Sequence, residues 1–373
     1  MKVTFAGGGT GGHLYPAIAI ADALIERGKQ RAHRVDVQFI GARDRLESRI
    51  VPAAGYPLHF VASASLSRRR PLDFLRASFI NGAGVFSAMV LLLTHRPILL
   101  IASGGYVCFP VVVAARMLRT LRLVSCPIVL LEINARPGLT NRTLAPLVDE
   151  VWGALDVPSP EFTGRYYATG VPIRRSLENL PQRDVAAQRL SLDPAKQTLL
   201  IMGGSQGARS INDAIVALVE SGNFPPEWQP LHLTGETDFE RVAAAYQSRH
   251  VAGKVLPFLN DPADAYACAD AAITRAGAAT LAELAAVGLP AILIAYPHAA
   301  EDHQRINAER FANAGAAYLI GDQVLSAETL LQALRETLEP AARRRMAEAI
   351  KRLAKPDAME NIIDRVRALT GAP

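Results

Sequence analysis

The chain has 373 residues, of which half are hydrophobic, and carries 40 Lys and Arg against 35 Asp and Glu, with three cysteines. This length and composition predict two globular domains in a reducing compartment and exclude a disordered chain, a collagen or coiled-coil fibre, a disulfide scaffold and a zinc module. The formal charge is uneven, because residues 1–175 carry a net +10 and residues 176–373 a net −5.

The chain begins with a predicted strand at residues 2–6, a glycine-rich turn and a predicted helix at 16–27. A signal peptide has a longer apolar region and a cleavage site, so we expect a cytoplasmic protein. Glycines between a strand and a helix let a ligand approach the main-chain N–H groups at the helix N-terminus. His13 follows this turn directly and is the candidate general base, although a single histidine is more often structural.

The first turn also fits the GxGxxG fingerprint of dinucleotide-binding proteins, with Gly7, Gly9 and Gly12. An NAD site also needs an acidic residue at the end of the second strand. The predicted second strand, 35–40, instead ends in Gly41, Ala42 and Arg43. An NAD-dependent oxidoreductase is therefore disfavoured.

Residues 77–95 contain no charged side chain except the histidine at their end, but Ser, Asn and Gly interrupt them, which argues against a membrane span. We expect a buried helix at 85–93. The preceding segment alternates arginines with large apolar residues, as a surface that lies on an anionic bilayer does. The alternative is a solvated arginine turn before a core helix. The predicted membrane patch consists of Arg68, Arg69, Arg70, Leu72, Phe74, Leu75 and Phe79.

Strand-like and helix-like segments alternate along the whole chain and predict an α/β fold of two Rossmann-like domains with mainly parallel sheets. Further strands are expected at 98–102, 128–131, 198–202, 232–234, 271–274 and 291–295, and further helices at 211–220, 281–287, 304–314 and 355–369. A glycine turn between a strand and a helix recurs at 203–209. We therefore place the domains at 1–168 and 169–355 and expect their sheets to face each other across a cleft. A C-terminal helix at 356–373 is expected to return to the first domain.

The second turn, at 203–209, places Ser205 among glycines at a helix start, where it can hold a phosphate. The alternative is a tight packing turn. A third glycine turn, at 103–106, follows another predicted strand. Neither of the two longer glycine loops carries the Lys-Ser/Thr pair of a P-loop, so a nucleoside triphosphatase is not expected.

Eight motifs follow one another in a fixed order, from the first glycine turn to residue 308. They are GGGTGGHLYPA (7–17), SGGY (103–106), EINARPGLTNR (132–142), GVPIR (170–174), GGSQGAR-x-IN (203–212), RAGAATLAEL (275–284), GLPAILI (288–294) and HQRINA (303–308). This set resembles the family of GT-B glycosyltransferases that make lipid II. The resemblance implies transfer of N-acetylglucosamine from UDP-N-acetylglucosamine to lipid I, a polyprenyl-pyrophosphate-linked sugar, for peptidoglycan synthesis.

The resemblance also implies a role for each matching residue. The donor side is expected to include Ser205 and Gln206 at the diphosphate, Phe258 and Leu259 at the uracil, Glu283 at the ribose, Gln304 and Asn307 at the sugar, and Arg174, Arg275, Gly277, Ala278, Ala279 and Thr280 at the phosphates. The acceptor side is expected to include the base His13 with Thr10, Gly11, Gly12, Tyr106, Glu132 and Asn134. The alternatives are a surface carboxylate for Glu283, a solvated helix residue for Gln304 and ordinary core for Phe258.

The chain departs from the family pattern on the acceptor side. Leu131 and Ile133 stand where the family has His and Gln, Val171 where it has Asn, and Cys108 where a small hydroxyl residue is usual. These changes leave open a transferase for another membrane lipid, such as a diacylglycerol. A UDP-sugar epimerase and a non-catalytic nucleotide-sugar-binding protein are further alternatives.

The expected reaction is one inverting displacement with UDP as the leaving group. The sequence has no Asp-x-Asp pair to hold a metal on the diphosphate, so helix N-termini and arginines are expected to stabilise it without a metal or other cofactor. The resemblance implies a peripheral protein on the cytoplasmic face of the cell membrane, near cell-wall synthesis proteins. Nucleic-acid binding is not expected, because the basic half shows no recognisable module.

Overall fold

The computed structural model describes residues 1–65, 71–204 and 206–371 and divides the chain into two units. Unit 1 comprises residues 1–174 and 356–373, and unit 2 comprises residues 175–355. The sequence places the first boundary after residue 168, whereas the structure assigns residues 169–174 to unit 1. The predicted return of the C-terminal helix to the first unit is confirmed.

Unit 1 is built on a parallel sheet. Its strands are β1 (Lys2–Gly7), β2 (Asp36–Gly41), β3 (Leu58–Phe60), β4 (Leu99–Gly104), β5 (Ile128–Glu132), β6 (Glu150–Gly153) and β7 (Tyr166–Ala168). They lie in the order β3-β2-β1-β4-β5-β6-β7. The helices of this unit are α1 (Gly11–Gln30), α2 (Glu47–Ala53), α3 (Pro71–His95), α4 (Cys108–Thr120), α5 (Leu139–Leu144) and α14 (Ala358–Thr370).

Unit 2 repeats the same plan with a second parallel sheet. Its strands are β8 (Gln197–Met202), β9 (Trp228–Leu233), β10 (Lys254–Leu256), β11 (Ala271–Arg275), β12 (Ala291–Ala295) and β13 (Ala317–Gly321), in the order β10-β9-β8-β11-β12-β13. Its helices are α6 (Arg183–Leu190), α7 (Arg209–Glu220), α8 (Phe239–Ser248), α9 (Ala263–Cys268), α10 (Ala278–Val287), α11 (His303–Asn313), α12 (Ala327–Leu338) and α13 (Pro340–Lys351).

Both sheets have the doubly wound order of Rossmann folds, which confirms the predicted fold class. The central strands are continuous apolar runs because helices cover both faces of a parallel sheet. β4 and β12, for example, are buried along their whole lengths. This topology brings the loops that follow the strands, with the predicted site residues, to the carboxyl edge of each sheet.

Helix α3 differs from the predicted buried helix at 85–93, because it extends from Pro71 to His95 and is covered on one side only. Its inner face packs on α4 with Ala77, Ala88 and Leu92 buried. Gly84 lets α3 approach the segment after β3 closely, since a Cβ there would lie 2.0 Å from the carbonyl oxygen of Ala62. The outer face exposes a row of large apolar side chains one or two turns apart, namely Leu75, Phe79, Phe86, Val90 and Leu93.

The apolar outer face contains part of the predicted membrane patch. Leu75 is 64% exposed and Phe79 is 81% exposed. Arg68, Arg69 and Arg70 lie outside the described residues, as do the side chains of Leu72 and Phe74. The segment Leu75–His95 is long and apolar enough to cross a membrane, although core helices of soluble proteins share that composition.

Candidate active site

His13 lies in the first turn of α1, directly after the glycine loop that ends β1. Its Nδ1 lies 2.9 Å from the carbonyl oxygen of Ser103. Because a carbonyl can only accept, Nδ1 carries the proton in the neutral imidazole and Nε2 carries the lone pair. A Cβ on Gly104 would lie 2.4 Å from the same ring, so this turn needs glycine. The two loops thus hold the imidazole in the tautomer whose Nε2 can accept a proton, and its role as a base stays a prediction.

The glycine loop itself is tied to the rest of unit 1 by main-chain hydrogen bonds. The N–H of Gly8 donates to the carbonyl of Gly104 at 3.3 Å, and the N–H of Gly9 donates to Glu47 Oε2 at 2.9 Å. The predicted acceptor-side residues Thr10, Gly11 and Gly12 form the N-terminus of α1 beside His13. The positive end of that helix dipole favours negative charge at this point.

The turn after β4 is supported by Cys108, one of the departures from the family pattern. Its Sγ accepts from the N–H of Gly104 at 3.2 Å and contacts the carbonyl of Ala6 at 3.3 Å. Burial raises the pKa of the Cys108 thiol to about 12, so it remains protonated and donates as a hydroxyl would. Cys108, in place of a small hydroxyl residue, therefore changes the side chain that supports this turn. Tyr106, two residues earlier, is exposed.

Glu132 is buried and organises the loop that follows β5. Its Oε1 accepts from both the N–H and the side-chain amide of Asn134, and its Oε2 accepts from the N–H of Gly138 and the amide of Asn141. Burial raises the pKa of Glu132 against the opposing effect of these hydrogen bonds. Glu132 thus holds the loop after β5 in place, and the contacts of Glu132 and Asn134 with an acceptor stay predictions.

The apolar departures in this loop are accommodated inside unit 1. Leu131 is buried at the end of β5, and Ile133 is also buried. Arg174, predicted to assist the donor phosphates, belongs to unit 1 and lies with its guanidinium carbon 4.3 Å from the ring centroid of Tyr15 on α1. Arg174 therefore lies beside the first part of α1, and its contact with phosphate stays a prediction.

In unit 2 the second glycine loop lies between β8 and α7. Gly207 has a φ of 77°, and a Cβ there would lie 2.0 Å from the carbonyl oxygen of Thr234. The same carbonyl accepts from the side-chain amide of Asn212 at 2.9 Å. Gln206 is exposed at this loop, while Ser205 lies outside the described residues. The loop is consequently held against the end of β9.

A buried polar network underlies this loop and was not indicated by any motif. Asn212 donates to Asp238 at 2.9 Å and accepts from His232 Nε2 at 3.0 Å, and His232 Nδ1 lies 3.2 Å from the hydroxyl of Tyr246. Burial lowers the pKa of His232 to about 3, although Asp238 opposes this shift. The imidazole is therefore neutral in the folded protein at physiological pH.

This network predicts acid sensitivity of unit 2. The unfolded histidine has a pKa near 6.5 and the folded one is much lower, so the contribution to stability is complete above about pH 6.5 and is lost as pH falls toward 3, by up to about 1.4 kcal/mol per pH unit. Urea unfolding of W152F, followed by the fluorescence of Trp228, should show this loss between pH 7.5 and 5. H232Q should flatten the dependence, whereas H250N, at an exposed histidine, should not. Equal slopes in all three proteins would contradict it.

Arg275 at the end of β11 is held by several hydrogen bonds within unit 2. Its side chain is largely buried and donates to Asp322 at 2.5 Å, to Ser210 Oγ at 2.8 Å and to the carbonyl of Ile294 at 3.3 Å. These bonds tie β11, β12 and α7 together and hold Arg275 at the carboxyl edge of the sheet, and its contact with a phosphate stays a prediction. Gly277 precedes α10, and Ala278, Ala279 and Thr280 form its first turn as expected.

The remaining predicted donor-side residues lie in unit 2, where three of them form hydrogen bonds within the protein. Glu283 on α10 is buried and accepts from the hydroxyl of Tyr266 at 3.0 Å, so it is not a surface carboxylate. Gln304 on α11 accepts from the N–H of Tyr296 at 3.1 Å, and Asn307 is buried and donates to the carbonyl of Ala276 at 3.4 Å. Phe258 and Leu259 are half-buried after β10. Their contacts with uracil or sugar stay predictions.

Comparison with known proteins gives consistent matches over both units. The glycosyltransferase family 28 N-terminal domain matches residues 3–152, and its C-terminal domain matches residues 198–362. The UDP-N-acetylglucosamine--N-acetylmuramyl-(pentapeptide) pyrophosphoryl-undecaprenol N-acetylglucosamine transferase of Geobacter sulfurreducens is 39% identical over 99% of each chain.

Solved structures show the same similarity. The crystal structure of MurG from Acinetobacter baumannii superposes with a TM-score of 0.74 at 27% identity, over 98% of this chain and 99% of that one. A UDP-N-acetylglucosamine 2-epimerase superposes with a TM-score of 0.62 at 13% identity, over 100% of this chain and 96% of that one. The likeness to the epimerase shows the fold alone.

Proposed function

The chain belongs to glycosyltransferase family 28, and we propose that it transfers N-acetylglucosamine from UDP-N-acetylglucosamine to the muramoyl sugar of lipid I, forming lipid II for peptidoglycan synthesis. The similarity to the Geobacter transferase extends over 99% of both chains, which supports the same donor and acceptor. The observation in the site that carries the proposal is the orientation of His13, whose Nδ1 is held by the Ser103 carbonyl at 2.9 Å.

The mechanism that follows is a single inverting displacement. Nε2 of His13 takes the proton from the acceptor hydroxyl as that oxygen attacks the anomeric carbon, and UDP leaves. In unit 2 the first turn of α10 and the N-terminus of α7 present main-chain N–H groups, which favour the charge developing on the diphosphate. We propose that no metal ion is needed, and transfer should persist in EDTA.

A transfer assay tests the proposal directly. Labelled UDP-N-acetylglucosamine is incubated with the protein and lipid I, with diacylglycerol, or with neither acceptor. Labelled lipid II formed only with lipid I is the expected result. Transfer to diacylglycerol would assign a different lipid acceptor, and conversion of the free UDP-sugar without acceptor would assign an epimerase. UDP binding with no turnover in any arm would leave a nucleotide-sugar-binding protein.

We further propose that the protein acts on the cytoplasmic face of the cell membrane, with the outer face of α3 against the lipid. Lipid I carries its sugar on a polyprenyl pyrophosphate, so the enzyme must work at a lipid surface. The exposed row on α3 supplies apolar area, and unit 1 belongs to the basic part of the chain. An apolar helix face flanked by arginines is typical of proteins that lie on anionic bilayers.

Charges on the outer face of α3 should weaken membrane binding. Phe79 and Phe86 are 81% and 71% exposed, so F79E/F86E should fold normally and lose the transfer of both rings into the lipid. We expect at least about a 10-fold fall in binding to vesicles containing anionic phospholipid, measured by co-sedimentation. V324E, at an exposed apolar residue of unit 2, is the control. If both variants bound vesicles as the parent does, this surface would not be the membrane face.

A further inference from the structure

Glu47 is a buried carboxylate in unit 1 that the proposed reaction does not use. It begins α2 and is 1% exposed. Its two oxygens accept from main-chain N–H groups of different loops, Oε2 from Gly9 at 2.9 Å and Oε1 from Ala42 at 3.0 Å. The carboxylate therefore links the loop after β1 to the loop after β2, which are neighbouring strands of the sheet.

Two glycines next to Glu47 leave room for its side chain. A Cβ on Gly8 would lie 2.1 Å from Oε1, and a Cβ on Gly41 would lie 2.7 Å from Cγ. No ion pair to Glu47 is found among residues 1–65, 71–204 and 206–371. Burial of a carboxylate without a cationic partner costs free energy, which its two main-chain donors only partly offset. A loop that needed packing alone would not require this charge.

A short series of contacts leads from Glu47 to the imidazole of His13. Glu47 holds the N–H of Gly9, the adjacent Gly8 donates to the carbonyl of Gly104, and Gly104 lies against the His13 ring. The N–H groups of Gly8 and Gly9 are therefore engaged within the protein, and a negative charge lies behind them. This part of the loop is not arranged as an anion cradle, despite its GxGxxG pattern.

We propose that Glu47 is a positioning residue for the transfer reaction, which fixes the first glycine loop and thereby the place of His13. The proposal rests on the function assigned above. A glutamine at this position offers only one acceptor oxygen, so the N–H of either Gly9 or Ala42 would face an amide NH₂. The loop then has to shift, and a misplacement of about 1 Å at a reacting group can cost about 100-fold in rate.

The test compares full-length E47Q and E47A with D44N, which removes an exposed carboxylate of the same loop region. The first readout is amide hydrogen exchange, which does not depend on turnover. We expect faster exchange in the peptides covering residues 7–13 and 41–43 of E47Q, with the rest of unit 1 unchanged, and no difference in D44N. Unchanged exchange in E47Q would overturn the proposal, whether or not the wild-type protein transfers sugar.

The second readout is kinetic. We expect kcat of E47Q to fall about 10- to 100-fold with KM for UDP-N-acetylglucosamine unchanged, and sodium formate, but not sodium chloride, to restore part of the activity of E47A. A fall in kcat that only follows the folded fraction, without formate rescue, would indicate a purely structural role and overturn the proposal. Failure of the wild-type protein to transfer sugar would refute the assigned function and leave the exchange result to decide the role of Glu47.

Discussion

H13A should reduce kcat by about 10²- to 10⁴-fold, the range that general acid–base catalysis contributes, while UDP affinity stays within about twofold. The reason is that the base is lost from unit 1, whereas the nucleotide is expected to bind unit 2. The decisive variant is H13N, because its side-chain amide can still donate to the Ser103 carbonyl but has no basic nitrogen.

Turnover with lipid I and UDP binding by calorimetry measure the two effects separately. If H13N kept most of the activity lost in H13A, His13 would be a structural residue whose only role is the hydrogen bond to Ser103. If H13A lost UDP binding as well, the two units would share the histidine in a way that the proposed mechanism does not contain.

R365A should destabilise unit 1 by about 3 kcal/mol, because it leaves a buried carboxylate without its cation. Arg365 on α14 pairs with Glu150 of β6, which is 5% exposed, and its guanidinium carbon lies 3.7 Å from the ring centroid of Tyr167. Glu150 also accepts from the indole N–H of Trp152 at 2.8 Å, so that tryptophan is a local probe. For a unit of this size the melting temperature should fall by about 6–12 °C.

Thermal unfolding of W228F, followed by the fluorescence of Trp152, measures this effect in unit 1. R367A is the matched control, since Arg367 lies on the same helix and pairs with Asp364 near the surface, where such pairs contribute less than about 1 kcal/mol. Adding E150Q to R365A should recover part of the loss, because the buried charge is removed. Equal melting temperatures for R365A and R367A would contradict the prediction.

The sequence predicted the long buried strands well and the short ones poorly. The strand at 291–295 agrees with β12 at both ends, because Pro290 directly precedes five apolar residues and Pro297 follows two positions after them. The strand predicted at 232–234 begins at Trp228 in the structure, since Pro230 interrupts the apolar pattern but is tolerated within β9. β3, β7 and β10 have three residues each and are set by neighbouring strands, so no local pattern indicates them.

Residues of the candidate site could be predicted where the chemically active group and its motif lie in the same short segment of the sequence. His13 follows its glycine loop in the sequence, and the first turn of α10 follows Gly277. Glu47 was missed because it meets Gly9 across 38 residues and has no motif of its own. The pairing of Arg275 with Asp322, 47 residues later, was missed for the same reason. Long-range pairs of this kind depend on the tertiary fold alone.

The return of α14 to unit 1 has a consequence for the order of events during synthesis. Unit 2 is translated between the two parts of unit 1, which at about 5–20 residues per second separates them by about 10–35 s. During that interval Glu150 lacks its ion-pair partner Arg365. The surface of unit 1 on which Ile362, Ile363 and Val366 pack is then uncovered. The whole of unit 2 is thus synthesised before unit 1 can close. The folding of unit 1 is therefore expected to finish only after synthesis of the chain has ended.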